Sequence, residues 1–176
     1  HMFVGGPVKT GVTPCSPHEM YLFCNAPMPG NPRWDPSEDW SVLKGLLEGF
    51  GGVVGQVREA LSSASNIVYR PLENFLLPDP WYRGRVLMIG DAAHATTPHL
   101  AGGAMMAVED ALVLGELLEE RPIEQALPAF MRRRLERCRL VVEHSAQLGR
   151  FEMDGTPVEV HAELQQSSWQ AMAAPI

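Results

Sequence analysis

The segment at residues 85–119 constrains the fold more than any other part of the chain. A short continuous apolar run, RVLMI at residues 85–89, stops at Gly90 and Asp91, which is typical of a strand buried on both faces of a parallel sheet. After a loop, residues 103–119 contain no proline and are rich in Ala, Met, Leu and Glu, so they predict a helix. The order strand, loop, helix predicts part of an α/β layer, with a ligand site where the strand ends.

The residues before this segment predict antiparallel strands with a helical insertion. Turn-forming residues separate three short apolar stretches, so we expect strands at residues 2–4, 11–13 and 20–24. The sequence Asp35-Pro36-Ser37-Glu38 predicts a helix start, because an N-capping Asp is followed by proline and, three positions later, by an acidic residue. The other elements predicted in this part are helices up to residue 50 and at 53–62, and a strand at 66–72.

The residues after the segment predict helices, so the whole chain is predicted to be α+β. A long helix is expected at residues 128–151, and its leucines and arginines predict one packed and one solvated face. The arginines assigned to the solvated face are Arg132, Arg133, Arg134, Arg137 and Arg139. The last 25 residues have weaker periodicity, and we expect them to be ordered only by packing.

Charge and cysteine content exclude several classes of function. Fourteen Lys and Arg against 21 Asp and Glu give a net charge of -7, which repels nucleic acid and anionic membrane surfaces, so neither is an expected partner. The three cysteines are an odd number without CxxC spacing, so they predict neither a disulfide framework nor a structural zinc site. No apolar run reaches membrane-spanning length, and we expect a cytoplasmic protein.

The loop after residue 89 carries residues suited to binding a ligand. Glycine at position 90 lets a ligand approach the backbone, and the Asp91 carboxylate can accept a hydrogen bond from a ribose-like or ribitol hydroxyl. Residues 101–104, AGGA, then open the predicted helix, and its free amides and positive dipole end attract negative charge. Together these features predict a ligand with a polyol and an anionic edge.

The same residues resemble a known family, the single-component FAD-dependent aromatic-ring hydroxylases, which include salicylate, 4-hydroxybenzoate, 6-hydroxynicotinate and urate hydroxylases. The second flavin motif of that family is similar to Gly90-Asp91-Ala92-Ala93-His94, Pro98, Gly102-Gly103 and Glu109-Asp110-Ala111. The resemblance extends more diffusely over residues 2–150. It implies the C-terminal half of such an enzyme, combining part of an FAD-binding α/β domain with an antiparallel substrate-domain sheet.

The resemblance also implies how the chain is divided. Residues 1–75 would hold the substrate-domain strands with their helical insertion. Residues 76–120 would hold the strand, loop and helix of the second FAD motif, and residues 121–176 would form C-terminal helices and a tail.

FAD is the implied cofactor, and six residues are implied to bind it. Asp91 would bond the ribitol, Pro98 would sit beside the isoalloxazine, and the backbone at Gly90 would pass close to the pyrophosphate side. The backbone amides of the other three would face the pyrimidine edge of the flavin, where the helix dipole stabilises negative charge on the reduced ring. These three residues are Gly102, Gly103 and Ala104.

The implied reaction is hydroxylation of a small aromatic or heteroaromatic substrate, with NADH or NADPH as reductant and O₂ as the oxygen source. His99 is the implied catalytic residue, because the position after Pro98 is expected to look into the substrate cavity. A histidine there could bind a carboxylate or deprotonate a ring hydroxyl.

The chain departs from the family pattern in one important way, because it has no GxGxxG motif for the ADP half of FAD and no middle Asp-Gly motif. We therefore expect association with the missing N-terminal half, or homo-oligomers formed through open sheet edges. Two other functions stay open at this point. One is a different flavoprotein, such as a halogenase, and the other is a flavin-free scaffold or dimerisation module.

Several side chains in the motif also have simpler structural interpretations. His94 is expected to form hydrogen bonds that fix the loop, and Glu109 with Asp110 is expected to be a packing and hydrogen-bonding pair rather than an acid/base dyad. Asp91, His94 and His99 predict no metal site, because the sequence supplies no further ligand or supporting partners for zinc.

Overall fold

The computed structural model describes residues 1–4 and 6–176. These residues form two compact units, His1–Pro71 and Leu72–Ile176. The chain is 53% helical and its sheets are small and antiparallel, so the predicted α+β class is confirmed. None of the described helices combines the length and apolar character that a membrane span requires.

The first unit contains a three-stranded antiparallel sheet in the order β1-β2-β3, which confirms the predicted strands. The strands are β1 (Met2–Phe3), β2 (Lys9–Pro14) and β3 (Met20–Asn25). In the central strand Thr10 and Val12 are buried, and the Thr10 hydroxyl donates a hydrogen bond to the Phe23 carbonyl at 2.7 Å. This bond satisfies the one polar side chain that the strand buries.

The helical insertion of the first unit begins where the capping sequence predicts. Asp35 Oδ1 accepts the Ser37 N–H at 2.9 Å and starts a 3₁₀ turn, Pro36–Glu38, which leads directly into a helix. Leu47 and Val54, from the two helices of the insertion, are buried. The helices are α1 (Asp39–Leu46) and α2 (Gly52–Ala60).

The strand predicted at residues 66–72 is wrong. The described residues give this segment no ladder partner, and the Val68 side chain is 73% exposed. Tyr69 instead packs its ring against Trp34, with 4.5 Å between ring centroids, and its hydroxyl donates to Asn31 Oδ1 at 3.3 Å. The aromatic and β-branched composition reflects this side-chain contact rather than sheet pairing.

The second unit is mainly helical. A hairpin of β4 (Tyr82–Arg83) and β5 (Val86–Leu87) leads into the short helix α3 (Asp91–His94) and a 3₁₀ turn, Pro98–Leu100. Three longer helices follow, and α5 contacts α3, the 3₁₀ turn, α4 and α6, so it is the central element of the unit. These helices are α4 (Gly103–Glu120), α5 (Ile123–Asp154) and α6 (Val158–Met172).

The prediction of a doubly buried parallel strand at residues 85–89 is wrong. Only Val86–Leu87 form a strand, and it pairs antiparallel with β4 through Tyr82 and Leu87. Val86 is 67% exposed and Met88 is also exposed. The described residues supply no parallel neighbour for this strand. Leu87 and Ile89 pack against the core of the second unit, so the segment is buried on one face only.

Helix α4 confirms the predicted helix, whereas α5 begins five residues before the predicted start. Pro128 lies in the second turn of α5, where it removes only the hydrogen bond to the Glu124 carbonyl. The helix tolerates this loss because Ala126, Leu127 and Phe130 around the proline are buried.

The C-terminal tail is more regular than its sequence predicts, because residues 158–172 form α6. Ser168 and Met172 are the buried residues of this helix, and Ser168 Oγ lies 2.8 Å from His144 Nδ1 on α5. The buried stripe is narrow, which explains why the hydrophobic periodicity is weak.

Candidate functional site

The turn between β5 and α3 has a backbone that requires glycine. Gly90 has φ 58° and ψ -144°, a conformation that costs strain for any residue with a side chain. A Cβ at this position would also lie 3.2 Å from the Ala107 Cβ of α4. The turn therefore passes close to α4 and directs the chain into Asp91.

Asp91 is the exposed polar residue of the turn. It lies in the first turn of α3, and the described part of the chain offers its carboxylate no hydrogen-bond or ion-pair partner. An exposed carboxylate without a protein partner retains its full capacity to accept hydrogen bonds from a ligand.

The buried carboxylate of Asp110, on α4, holds the turn in place. Its Oδ2 accepts the Gly90 N–H at 2.9 Å and lies 2.6 Å from His94 Nε2, and its Oδ1 accepts Arg134 Nε at 2.7 Å. Burial by itself raises the pKa of Asp110, but the hydrogen bonds from His94, Gly90 and Arg134 outweigh it and the pKa is lowered. The geometry confirms the structural interpretation of His94 and of the acidic pair at 109–110.

The placement of Arg134 and Arg137 on a solvated face is wrong. The Arg134 side chain is fully buried, and its guanidinium donates to Asp110, to Glu109 Oε2 at 2.6 Å and to the Met106 carbonyl at 3.2 Å. Arg137 is largely buried and binds both oxygens of Glu109, at 2.7 and 2.8 Å. Burial raises the pKa of Glu109, but the hydrogen bonds from Arg137 and Arg134 lower it by more. The pKa of Glu109 is therefore below its ordinary value.

The spacing of apolar residues in α5 contained a signal for the burial of Arg134. Leu127, Met131, Cys138 and Val141 are all buried and recur at intervals of three, four or seven residues. Arg134 stands in that same stripe, three residues after Met131 and four before Cys138. A charge in an apolar stripe requires a buried partner, and the acidic pair on α4 is that partner.

The two glycines at the start of α4 are explained by close packing. A Cβ on Gly102 would lie 2.5 Å from Met172 Cε, and a Cβ on Gly103 would lie 3.0 Å from Thr96 Cγ2. The helix begins without a side-chain cap, so its first amides point out of the positive end of the helix dipole with no side chain to satisfy them. Pro98 and Ala104 are exposed on either side of these glycines.

The structure does not place His99 beside Asp91 at the exposed surface. The His99 ring is buried, its Nδ1 lies 2.9 Å from Thr97 Oγ1, and its Nε2 lies 3.3 Å from Glu152 Oε2. Both ring nitrogens therefore have partners within the second unit. The predicted catalytic role stays a prediction, and it requires the ring to leave at least one of these partners.

Three potential metal ligands, none of them predicted as a set, lie together beneath the turn. His94, Asp110 and Cys138 are buried, with ligand atoms within 4.8 Å of one another. The Arg134 guanidinium lies 3.5 Å from Cys138 Sγ, and burial raises the pKa of that thiol to about 12. A fixed cation and a protonated thiol make this donor set unsuited to a metal ion.

Comparisons with known proteins identify the family to which these residues belong. A family described as FAD binding domain matches residues 8–149. The chain is similar to YetM of Bacillus subtilis, with 36% identity over 158 residues that cover 89% of this chain and 42% of YetM. It is also similar to the FAD-dependent urate hydroxylase of Klebsiella oxytoca, with 33% identity over 147 residues, 80% of this chain and 36% of that enzyme.

The fold of the chain is also similar to that of a solved structure. The crystal structure of Klebsiella pneumoniae HpxO complexed with FAD and uric acid matches with a TM-score of 0.78 and 27% identity, over 94% of this chain and 43% of that chain. The chain therefore spans less than half the length of each of these relatives.

Proposed function

The chain belongs to the family of FAD binding domains, and on this premise we propose that it supplies the second flavin-binding segment of an FAD-dependent monooxygenase. The observation that carries the proposal is the turn at Gly90, which presents an exposed, unpartnered Asp91 carboxylate within the family-matched residues. In this proposal residues 76–120 form the flavin motif, residues 1–75 belong to the substrate domain, and residues 121–176 support the motif.

The residues of the turn fit the polyol part of FAD. Asp91 would accept a hydrogen bond from a ribitol hydroxyl, for which an exposed carboxylate without a protein partner is suited. Gly90 would let the chain pass close to the pyrophosphate side of the cofactor, because its positive φ turns the backbone sharply before Asp91.

The start of α4 fits the pyrimidine edge of the flavin, where negative charge collects on the reduced ring. The uncapped amides around Gly102, Gly103 and Ala104 lie at the positive end of an 18-residue helix, where they would stabilise negative charge on a bound ring. Pro98 is exposed and would contact the ring face. These are the roles that the sequence analysis assigns to the four residues, and they are part of the proposal.

The proposed reaction is hydroxylation of a small aromatic or heteroaromatic compound, because a relative of this chain is named as a urate hydroxylase. Bound FAD would supply the redox chemistry, taking electrons from NADH or NADPH and activating O₂. His99 is the proposed catalytic residue of this chain and would bind or deprotonate the substrate after its ring separates from Glu152. A cytoplasmic location is part of the same proposal.

Exposed apolar surface in the second unit supports an association with further polypeptide. Met105, Val108 and Leu112 recur at intervals of three and four residues on α4, and all three are more than half exposed. Val86 and Met88 are exposed at the β4–β5 hairpin. We propose that this surface contacts the polypeptide that completes the enzyme, or a second copy of the chain, because soluble monomers rarely expose such faces.

The direct test is a titration of the ¹⁵N-labelled chain with FAD, followed by NMR, since this method detects binding as weak as millimolar. We expect the amide resonances of residues 90–104 to move, and the dissociation constant to rise at least about tenfold in Asp91→Ala, which loses a hydrogen bond to a charged acceptor. Glu119→Ala is the matched control, because it removes an exposed carboxylate from the opposite end of α4.

Two outcomes would contradict the proposal. If Asp91→Ala binds FAD as tightly as Glu119→Ala, Asp91 does not hold the cofactor. If FAD moves no resonance at any concentration, the chain is better described as a flavin-free scaffold. A halogenase would bind FAD in the same way and is separated from a hydroxylase only by the product it forms.

A further inference from the structure

The carboxylate of Asp110 connects three parts of the second unit. It receives a backbone N–H from the turn at Gly90, a ring nitrogen from His94 on α3, and the guanidinium of Arg134 on α5. The Asp110 and Arg134 side chains are completely buried and the His94 side chain is 2% exposed. Burial keeps bulk solvent away from these contacts, so the carboxylate is held in the orientation that serves all three donors.

The two oxygens of Asp110 have different partners. Oδ2 takes both Gly90 and His94, while Oδ1 takes Arg134 Nε. Arg134 is itself held by Glu109 and by the Met106 carbonyl, so its planar guanidinium is fixed at several points and sets the plane of the carboxylate. Through that plane, Arg134 determines where the acceptor for the Gly90 N–H lies.

The conformation of Gly90 depends on this acceptor. Glycine has no strong intrinsic preference for this φ and ψ over the other conformations open to it, so the hydrogen bond to Asp110 selects the conformation. The next residue is Asp91, and the direction of its carboxylate follows from the path of the chain through Gly90.

We infer that Asp110 and Arg134 are positioning residues, which fix the Gly90 turn and thereby aim the Asp91 carboxylate at its ligand. The part of this inference that concerns FAD rests on the proposed function. The part that concerns the Gly90 turn does not, because it can be measured on the protein alone.

The test uses the whole ¹⁵N-labelled 176-residue chain and three variants. Asp110→Asn leaves one oxygen for three donors, and Arg134→Lys keeps the charge but loses the planar fork. Leu117→Ala is the matched control, because Leu117 is buried on α4 two turns beyond Asp110 and its truncation perturbs the core without touching the turn. The readouts are the Gly90 amide proton shift, the exchange rate of that proton with solvent, and the FAD dissociation constant.

We expect the Gly90 amide of the unaltered protein to resonate far downfield and to exchange slowly, as an amide bonded to a carboxylate does. In Asp110→Asn and Arg134→Lys the resonance should move upfield and exchange at least about tenfold faster, whereas Leu117→Ala should leave both unchanged. FAD binding should weaken about tenfold in the first two variants and less than twofold in the control.

The outcomes separate the inference from the proposed function. An unchanged Gly90 amide in Arg134→Lys, or an equal change in Leu117→Ala, overturns the inference whether or not FAD binds. Fast exchange of Gly90 in the unaltered protein overturns it too, and this measurement stands even if every variant fails to fold. If Gly90 responds as expected but FAD does not bind, the proposed function fails and the positioning of the turn survives.

Discussion

Replacing Arg134 with methionine should be among the most destabilising single changes in the second unit. Methionine keeps much of the apolar stem of Arg134, so the main effect is loss of the guanidinium and its ion pairs of 2.7 Å to Asp110 and 2.6 Å to Glu109. Glu109 keeps both of its bonds from Arg137, but Asp110 is left as a buried charge supported by Gly90, by His94 and by a long 3.9 Å hydrogen bond from the Cys138 thiol. Removing one partner from a buried ion pair costs about 3–5 kcal/mol, so we expect a loss of that size in the free energy of unfolding.

The change should also depend on pH in a defined direction. The pKa of Asp110 is lowered in the folded protein, because the hydrogen bonds from His94, Gly90 and Arg134 outweigh the burial that raises it. A group with a lowered folded pKa stabilises the protein fully above its unfolded pKa of about 4, and this contribution is lost as the pH falls through the folded pKa. The difference between the unaltered protein and Arg134→Met should therefore shrink below about pH 4.

The measurement is hydrogen exchange of α4 and α5 under native conditions, which reports the opening free energy of this unit separately from the first. Arg133→Met is the matched control, since Arg133 is the adjacent residue and its contacts are exposed, an ion pair at 3.0 Å to the half-exposed Glu116 and a hydrogen bond at 3.2 Å to an Ile176 oxygen. An exposed pair of this kind contributes about 0–1 kcal/mol. A loss in Arg134→Met no larger than that in Arg133→Met, or a difference that grows in acid, would refute the reasoning.

Three further predictions concern single sites. Gly90→Ala should cost about 1–3 kcal/mol because its φ of 58° and ψ of -144° strain any side chain, and Gly84→Ala, also at positive φ but in open space, should cost less in the same urea titration. Gly11→Ala should lower the stability of the first unit by about 1–3 kcal/mol, because a Cβ would lie 2.6 Å from both the His1 carbonyl and the Phe23 ring. The control Gly45→Ala, in α1 with open space around it, should stabilise by up to about 1 kcal/mol, and equal effects on thermal unfolding would sink the packing argument. Exposed Cys15 should react with a thiol reagent at pH 8 in the folded protein, while Cys24 and Cys138 should react only on unfolding, since burial raises their pKa values to about 11 and about 12.

The sequence predicted those elements whose signals are local. The capping sequence at Asp35, the absence of proline from 103 to 119, and the alternation of apolar and turn residues before residue 25 each depend on neighbours in the chain, and the structure has the corresponding elements. The loop from Gly90 to Ala104 was identified because a predicted strand ends at Gly90 and because its residues resemble the second flavin motif of the family. The roles assigned to its residues remain predictions.

The failures all involve partners distant in sequence. Arg134 is buried because Asp110 and Glu109 lie opposite it. The apolar stripe of α5 signals this burial, but nothing in the sequence of α5 identifies the acidic partners on α4. Residues 85–89 have the composition of a buried strand, yet their exposure depends on which strands pair with them, and the described residues supply only β4. Residues 66–72 have strand composition as well, but Tyr69 is held by Trp34, 35 residues earlier.

The last helix has a practical consequence for anyone who produces this protein in shortened form. Helix α6 lies beyond the family-matched residues, which end at 149, yet Gln165 donates to the His99 carbonyl at 3.5 Å and the Trp169 indole to the Leu100 carbonyl at 3.4 Å. A recombinant chain trimmed to the family boundary would end inside α5. It would lack Met172, whose side chain fills the space that a Cβ on Gly102 would occupy. Such a chain would retain every residue of the flavin motif but lose the scaffold beneath it, and a negative binding result obtained with it would say nothing about the motif.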